Sequence, residues 1–279
     1  MSTQVDLFTA VEPTSISPAI AKLPVSRSTF YQGDCLVEMS KIADKSVDMI
    51  LCDLPYGTTQ NKWDSVIPLD DLWNNYNRII KDNGAVVLFS DLGFTGKLMN
   101  SSSNYKYDII WDKVVGSGFL NANKMPIRRH ETILVFYKKQ PTFNKQMKKR
   151  NPNSHSLGKP SKYTENKGVS EVSNYGKINE KKRNLIPDYS MKNPDSILEI
   201  SKGNNRGQYK RQHPTQKPIE LMEYLIKTYT NEGETVLDNC MGSGTTGVAC
   251  KKTGRHFIGI EKDPKYFELA VRRVSEYCG

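Results

Sequence analysis

The sequence predicts an α/β fold: a mostly parallel sheet with helices on both faces, interrupted by a basic irregular insertion. Three observations carry this. Short apolar runs ending near a carboxylate recur along the chain, segments of helical spacing separate them, and one long polar tract has no periodicity at all. Strands buried on both faces read as continuous apolar runs, as Val47–Cys52 (VDMILC), Ala85–Phe89 (AVVLF) and His256–Ile260 (HFIGI) do.

Taken in order, residues 1–28 mix Ser, Thr, Pro and Ala and read as a flexible leader. Thr29–Met39 (TFYQGDCLVEM) reads as a short strand, a turn at Gly33-Asp34 and a helix start. The strand Val47–Cys52 runs into Asp53. Leu69–Ile80 carries Leu72, Trp73, Tyr76, Ile79 and Ile80 on one side of a helix, which Asp82-Asn83-Gly84 should stop. A strand at Ala85–Phe89, a helix over Gly93–Asn100 and strands at Tyr107–Trp111 and Glu131–Tyr137 follow. Lys139–Gln212 is too long for an ordinary connection, so it is a functional insertion or disorder. Order returns with a helix at Ile219–Tyr229, a strand at Thr235–Leu237, a Gly-rich turn and a helix through Lys252. The strand His256–Ile260 runs into Glu261, and Pro264–Tyr277 closes the chain as a helix. The division is a leader (1–28), one half of a core (29–139), an insertion (140–210) and the other half of the same core (211–279). Open α/β sheets bind ligands beyond the carboxyl ends of their strands, so Asp53, Ser90, Asp238 and Glu261 mark the edge to examine.

The net charge of +10 is concentrated. Lys138–Lys217 holds 19 Lys and Arg against 6 Asp and Glu, while the remainder holds 21 against 24. A polyanionic partner would explain the excess, because each neutralised phosphate releases a counterion; a solvated loop would explain it as well. Lys145, Lys148, Lys149 and Arg150 form the densest strip and are candidates for phosphate contacts. The five cysteines, Cys35, Cys52, Cys240, Cys250 and Cys278, include no CxxC pair and read as free thiols of a reducing cytosol. His130, His155 and His256 lack metal-ligand spacing, so no metal is expected. No run of about 18 apolar residues suggests a membrane span, and no secretory signal is expected at the N-terminus.

Two motifs carry chemistry. In Asp238-Asn239-Cys240-Met241-Gly242-Ser243-Gly244-Thr245-Thr246-Gly247 the glycines match G-x-G-x-x-G, between a strand and a helix. Glu261 follows Gly242 by 19 residues, at the next strand end, where a carboxylate binds ribose hydroxyls. This points to a Rossmann-like nucleoside site, without separating NAD from S-adenosylmethionine. The second motif, Asp53-Leu54-Pro55-Tyr56, resembles the tetrapeptide of the DNA amino-methyltransferases, whose chemistry explains its residue types. An exocyclic amino group on a nucleobase is a poor nucleophile because its lone pair is delocalised into the ring. A carboxylate and a carbonyl accepting its hydrogens would free the lone pair, and an aromatic ring would hold an extruded base by stacking.

That tetrapeptide resembles the (D/N/S)-P-P-Y motif of the DNA amino-methyltransferases. Leu54 replaces the usual proline, but the family uses that residue's backbone carbonyl, and Pro55 still restricts Leu54 to extended conformations. His213-Pro214-Thr215-Gln216-Lys217-Pro218 resembles the H-P-x-x-K-P segment of the β class, whose order of motifs is the order found here. Gly33-Asp34-Cys35 and Phe89-Ser90-Asp91 resemble smaller family elements.

The resemblance implies a Rossmann-like methyltransferase core whose insertion recognises the target. It implies transfer of a methyl group from S-adenosylmethionine to adenine N6 by direct displacement after base flipping. Asp53 and the Leu54 carbonyl would orient the amino group, with Pro55 and Tyr56 completing the pocket. Asp34, Asp238, Cys240, Gly242, Gly244 and Glu261 would hold the cofactor, and Thr215, Gln216 and Lys217 its methionine end. The implied partner is double-stranded DNA; a homodimer and a cognate restriction endonuclease are open, and a cytoplasmic bacterial, archaeal or phage setting follows. N4-cytosine methylation is the nearest alternative, though its motif more often begins with Ser. An NAD-dependent oxidoreductase would leave Asp53–Tyr56 and His213–Pro218 unexplained, and a non-catalytic DNA-binding protein would not need the carboxylate.

Overall fold

The computed structural model describes residues 4–7, 27–57, 65–117, 119–150, 191–202 and 216–277. Its strands are β1 (Gln4–Leu7), β2 (Ser28–Gln32), β3 (Val47–Asp53), β4 (Ile80–Ser90), β5 (Tyr105–Ser117), β6 (Arg128–Phe136), β7 (Lys148–Lys149), β8 (Met191–Lys192), β9 (Ile197–Glu199), β10 (Thr235–Asp238) and β11 (His256–Glu261). The helices are α1 (Cys35–Glu38), α2 (Leu69–Ile79), α3 (Leu92–Asn100), α4 (Ile219–Tyr229), α5 (Thr245–Lys252) and α6 (Pro264–Glu276). One sheet has the order β1-β2-β11-β10-β3-β4-β6-β5-β9. Strands β2, β11, β10, β3 and β4 run parallel, and β6 turns the direction by pairing antiparallel with β4 and β5. The expected α/β, Rossmann-like fold is therefore present.

The sheet is buried on both faces, which is why its strands read as unbroken apolar runs. Successive side chains point to opposite faces. Met49 and Leu51 accordingly pack with α4, α5 and α6 on one side, and Ile50 and Cys52 with α1, α2 and α3 on the other. Helix α2 buries Leu72, Trp73, Tyr76 and Ile79, the stripe read from the sequence. Asp263 caps α6 by accepting from the N–H groups of Lys265 (2.8 Å) and Tyr266 (3.2 Å), with Pro264 preset in the first turn.

The structure departs from the sequence reading at three places. Within the leader expected to be flexible, Gln4–Leu7 pairs with β2, while residues 8–26 lie outside the described residues. Ile80 leaves the helix and pairs with Val47, so Asp82-Asn83-Gly84 lies inside β4 as an irregularity. A Cβ on Gly84 would come within 2.8 Å of the Asp48 carbonyl oxygen, which explains the glycine. Finally, Ile197–Glu199, inside the expected 140–210 insertion, pairs parallel with β5, and Ile200 N–H donates to the Asp112 carbonyl (3.1 Å). Lys145–Asp195 forms a compact unit by itself. No helix among the described residues is long and apolar enough to cross a membrane.

Parallel strands share one carboxyl edge. It collects Asp53 from β3, Ser90 from β4, Asp238 from β10 and Glu261 from β11, with Asp34 just past β2. Because β6 runs the other way, its first residues reach the same edge, Thr132 opposite Ser90. The last glycine of the Gly-rich motif serves this packing: a Cβ on Gly247 would come within 2.7 Å of Phe257 and Val274 side-chain atoms. Gly247→Ala is expected to cost about 1–3 kcal/mol by overpacking, read as a lowered midpoint in urea unfolding; an unchanged midpoint would show that α5 and β11 yield freely there.

Candidate active site

The Gly-rich turn leaves β10 and opens α5. Gly242 (φ 51°) and Gly244 (φ 77°) hold left-handed conformations that side chains disfavour. A Cβ on Gly244 would press on Ala270 at 2.9 Å, whereas the Cβ position of Gly242 faces open space. Asp238 fixes the turn from below: one oxygen accepts from the Cys240 N–H (3.1 Å), the other from the Thr246 hydroxyl. Burial pushes its pKa up to about 7, against the opposing effect of those hydrogen bonds. Glu261 ties the end of β11 to the same turn, accepting from the Gly242 N–H (2.8 Å) and the Asp263 N–H (2.9 Å). Burial raises its pKa too, so its carboxylate favours added hydroxyl donors. Asp34 caps α1 through the Leu36 N–H (3.1 Å) and pairs with Lys262 (3.1 Å). The structure therefore brings Asp34, Asp238, Cys240, Gly242, Gly244 and Glu261 to one edge.

Cys240 of this turn shares hydrogen bonds with both Cys35 and Cys52. Asn239 donates to Cys240 Sγ (3.6 Å) and accepts from the Tyr76 hydroxyl (2.6 Å). Burial pushes the Cys52 thiol up to about 12. With Cys250 these cysteines are free; Cys278 lies outside the described residues.

Asp53 ends β3 beside Leu54, which is only 3% exposed. The Tyr56 hydroxyl donates to Asp53 Oδ1 (2.5 Å), and its ring lies 5.3 Å from that of Phe94, tilted by 33°. Lys217 Nζ sits 2.7 Å from Asp53 Oδ2 and 3.0 Å from Glu131 Oε2, and 4.9 Å above the Phe89 ring. The contact with Glu131 is an ion pair. Glu131 also takes Lys113 at 3.3 Å and Lys202 at 3.8 Å. Burial disfavours the charge on Lys217, but Asp53 and Glu131 outweigh it and raise its pKa. Burial likewise opposes the charge on Glu131, and Lys217 and Lys113 hold its pKa below the ordinary carboxylate range.

This charge cluster supplies residues the sequence reading missed. Lys217, expected at a cofactor carboxylate, has its ammonium on Asp53 and Glu131. Glu131, Lys113 and Lys202 were not singled out. The one available signal was a carboxylate and a lysine at the ends of two apolar strands, Glu131 before ILVF and Lys113 just after Trp111. Gln216 is half-buried ahead of α4, and Thr215 lies outside the described residues. In the separate unit, β7 pairs antiparallel with β8, Arg150 Nε donates to the Met191 carbonyl (3.0 Å), and Lys145 donates to Asn193 (3.5 Å). Lys145 and Lys149 are exposed and Lys148 is half-buried; residues 151–190 lie outside the described residues.

The shift of Asp238 has a signed consequence. The folded protein prefers its neutral acid, so its contribution to stability is full below the ordinary value of 3.8 and is lost as pH rises through about 7. Asp238→Asn carries no such charge. The Tm of that variant relative to wild type is expected to be several degrees more favourable at pH 8 than at pH 5; a difference independent of pH would identify another titrating group.

Comparison with known proteins agrees with this geometry. The family model described as DNA methylase, of the N6/N4 methyltransferases, matches residues 47–272. The type II methyltransferase M.HinfI of Haemophilus influenzae is 27% identical over 89% of this chain and 68% of its own length. The DNA adenine methyltransferase YhdJ of Escherichia coli (strain K12) is 27% identical over 88% of this chain and 82% of its own. Among solved structures, the cytosine-N4-specific PvuII DNA methyltransferase shares the fold at a TM-score of 0.61, with 17% identity, covering 90% of this chain and 87% of that one. The M1.HpyAVI–SAM complex does so at 0.57, with 24% identity, over 88% and 98%. The chain belongs to the N6/N4 DNA methylase family.

Proposed function

We propose that this enzyme methylates adenine N6 in double-stranded DNA, using S-adenosylmethionine. The observation that carries the reading is a carboxylate, Asp53, fixed at the end of β3 with Tyr56 on one oxygen and Lys217 on the other. An amino group brought to Asp53 and the Leu54 carbonyl would donate one hydrogen bond to each, which localises the nitrogen lone pair, and the one proton shed on methylation would leave by way of the Asp53 carboxylate. A carboxylate oxygen has two acceptor sites, so Oδ1 retains one beyond the Tyr56 hydroxyl. Tyr56 and Phe94 offer rings for an extruded base, and Pro55 keeps the Leu54 carbonyl extended. Lys217, held by Glu131, acts as the strut that aims Asp53. The relative named an adenine methyltransferase and the carboxylate at the first motif position favour adenine over cytosine.

The cofactor reading fits the turn. The open space at Gly242, the left-handed backbone at Gly242 and Gly244, and a half-buried Glu261 that accepts backbone N–H groups suit an adenosine with its ribose hydroxyls. Asp34, Asp238, Cys240, Gly242, Gly244, Glu261 and Gln216 would hold it, and Thr215 joins them by its motif. When bound, S-adenosylmethionine supplies an electrophilic methyl carbon that the amino nitrogen displaces directly from sulfur. Lys145, Lys148, Lys149 and Arg150 would meet phosphates.

Mass spectrometry of nucleosides from unmethylated DNA incubated with enzyme and S-adenosylmethionine tests the base. N6-methyladenine is expected; N4-methylcytosine would reassign it, and neither product would remove the activity. Asp53→Ala is expected to lower kcat by about 10²–10³-fold or more with DNA binding retained. Lys217→Met should lower kcat on the order of tenfold with the KM for S-adenosylmethionine within about twofold, and Lys217→Arg should recover part of the rate. A raised KM at unchanged kcat would return Lys217 to the cofactor.

A further inference from the structure

The strands that bring Lys113 and Glu131 to Asp53 continue into a hairpin whose tip is apolar and exposed. Phe119 is 65% exposed and Leu120 fully so, and Val114, Val115, Met125 and Ile127 beside them are exposed as well. Single exposed apolar residues are ordinary, but six within fourteen positions form a patch. The tip is ordered by its own backbone. A 3₁₀ turn spans Phe119–Asn121, the Ala122 N–H donates to the Phe119 carbonyl (3.1 Å), and the Lys124 and Met125 N–H groups donate to that of Asn121 (2.9 and 3.0 Å).

The stem is fixed as well. Val114 takes a left-handed φ of 66°, strained for a β-branched residue, and its N–H donates to Asp112 Oδ1 (2.8 Å). Arg129 pairs with Asp112 and Arg128 with Asp91, which binds the stem to the end of β4. Thr132 lies opposite Ser90, and Phe89 opposite Asp53, so the hairpin rises from the rim of the catalytic edge.

We infer that this tip is a wedge for duplex DNA: Phe119 and Leu120 enter the base stack where the target base leaves it. The inference rests on the base-flipping reading above. Extruding a base opens an apolar gap between its neighbours, and apolar side chains that enter base steps fill such gaps. Position selects DNA as the occupant: the patch rises from the rim of the edge where the base would be held, and Lys124 stands exposed beside it, while Lys113, Arg128 and Arg129 are paired with Glu131, Asp91 and Asp112.

The test uses the full chain with Phe119→Ser and Leu120→Ser combined. The base that wild type methylates is mapped by sequencing and placed in two short synthetic duplexes, once paired and once mismatched. A mismatched base is already partly unstacked, so it needs less help to leave. The variant is expected to lose about tenfold or more in kcat/KM on the paired duplex and less than about threefold on the mismatched one. Equal loss on both, or no loss on the paired duplex, overturns the wedge. A changed sedimentation coefficient in the variant assigns the patch to a second copy and overturns it as well. Wild type that methylates no DNA overturns the functional reading itself, a separate result.

Discussion

The contact of Lys217 with Asp53 and Glu131 joins the two halves of the core at the point where the chemistry is expected. Lys217 stands just before α4, Asp53 closes β3, and Glu131 lies on β6, so three distant segments meet in one buried charge cluster. Such a cluster is costly to desolvate and is held only if each charge keeps its partner. Removing one member of a buried pair generally costs about 3–5 kcal/mol. The arrangement therefore resists alternative placements of Asp53 more than it adds stability, which suits a carboxylate that must be aimed.

Everything around that contact follows from a sheet covered on both faces. Parallel strands deliver their last residues to one edge, and the antiparallel β6 delivers its first. Carboxylates thus collect where apolar strands stop, and the N–H groups of Cys240 and Gly242 in the Gly-rich turn donate to two of them. Asp238 and Glu261 each spend their acceptors on shaping that turn, with burial raising the pKa of both. A bound nucleoside would meet a preformed turn rather than one it must organise.

Most of the fold was legible because double-sided burial writes itself as apolar runs, and amphipathic helices as stripes; Val47–Cys52 and the Leu72–Ile79 stripe are examples. What escaped was pairing that depends on partners elsewhere. Gln4–Leu7 and Ile197–Glu199 are too short to carry a pattern, and their pairing with β2 and β5 is a tertiary event. Ile80 looked helical because its spacing is helical, yet Val47 claims it. At the site, Asp53 and the glycines announced themselves by strand-end position. Glu131, Lys113 and Lys202 did not, since a charge at a strand end ordinarily faces water and only the folded sheet turns these inward. Lys217 was noticed for its motif, but its partner could be read only from geometry.

The unit at 145–195 has a consequence for how such a chain changes. Just before it, Asn144 is tied to the carbonyls of Thr228, Lys227 and Thr230. Just after it, Ser196 accepts from the Ile110 N–H (2.8 Å) and Ile197–Glu199 joins the sheet. Both exits are thus clamped to the same rigid body, in fixed register, by bonds that owe nothing to the sequence between them. Insertions, deletions or wholesale exchange within that span leave the catalytic edge where it is. Selection on that span can then proceed almost independently of selection on the catalytic edge.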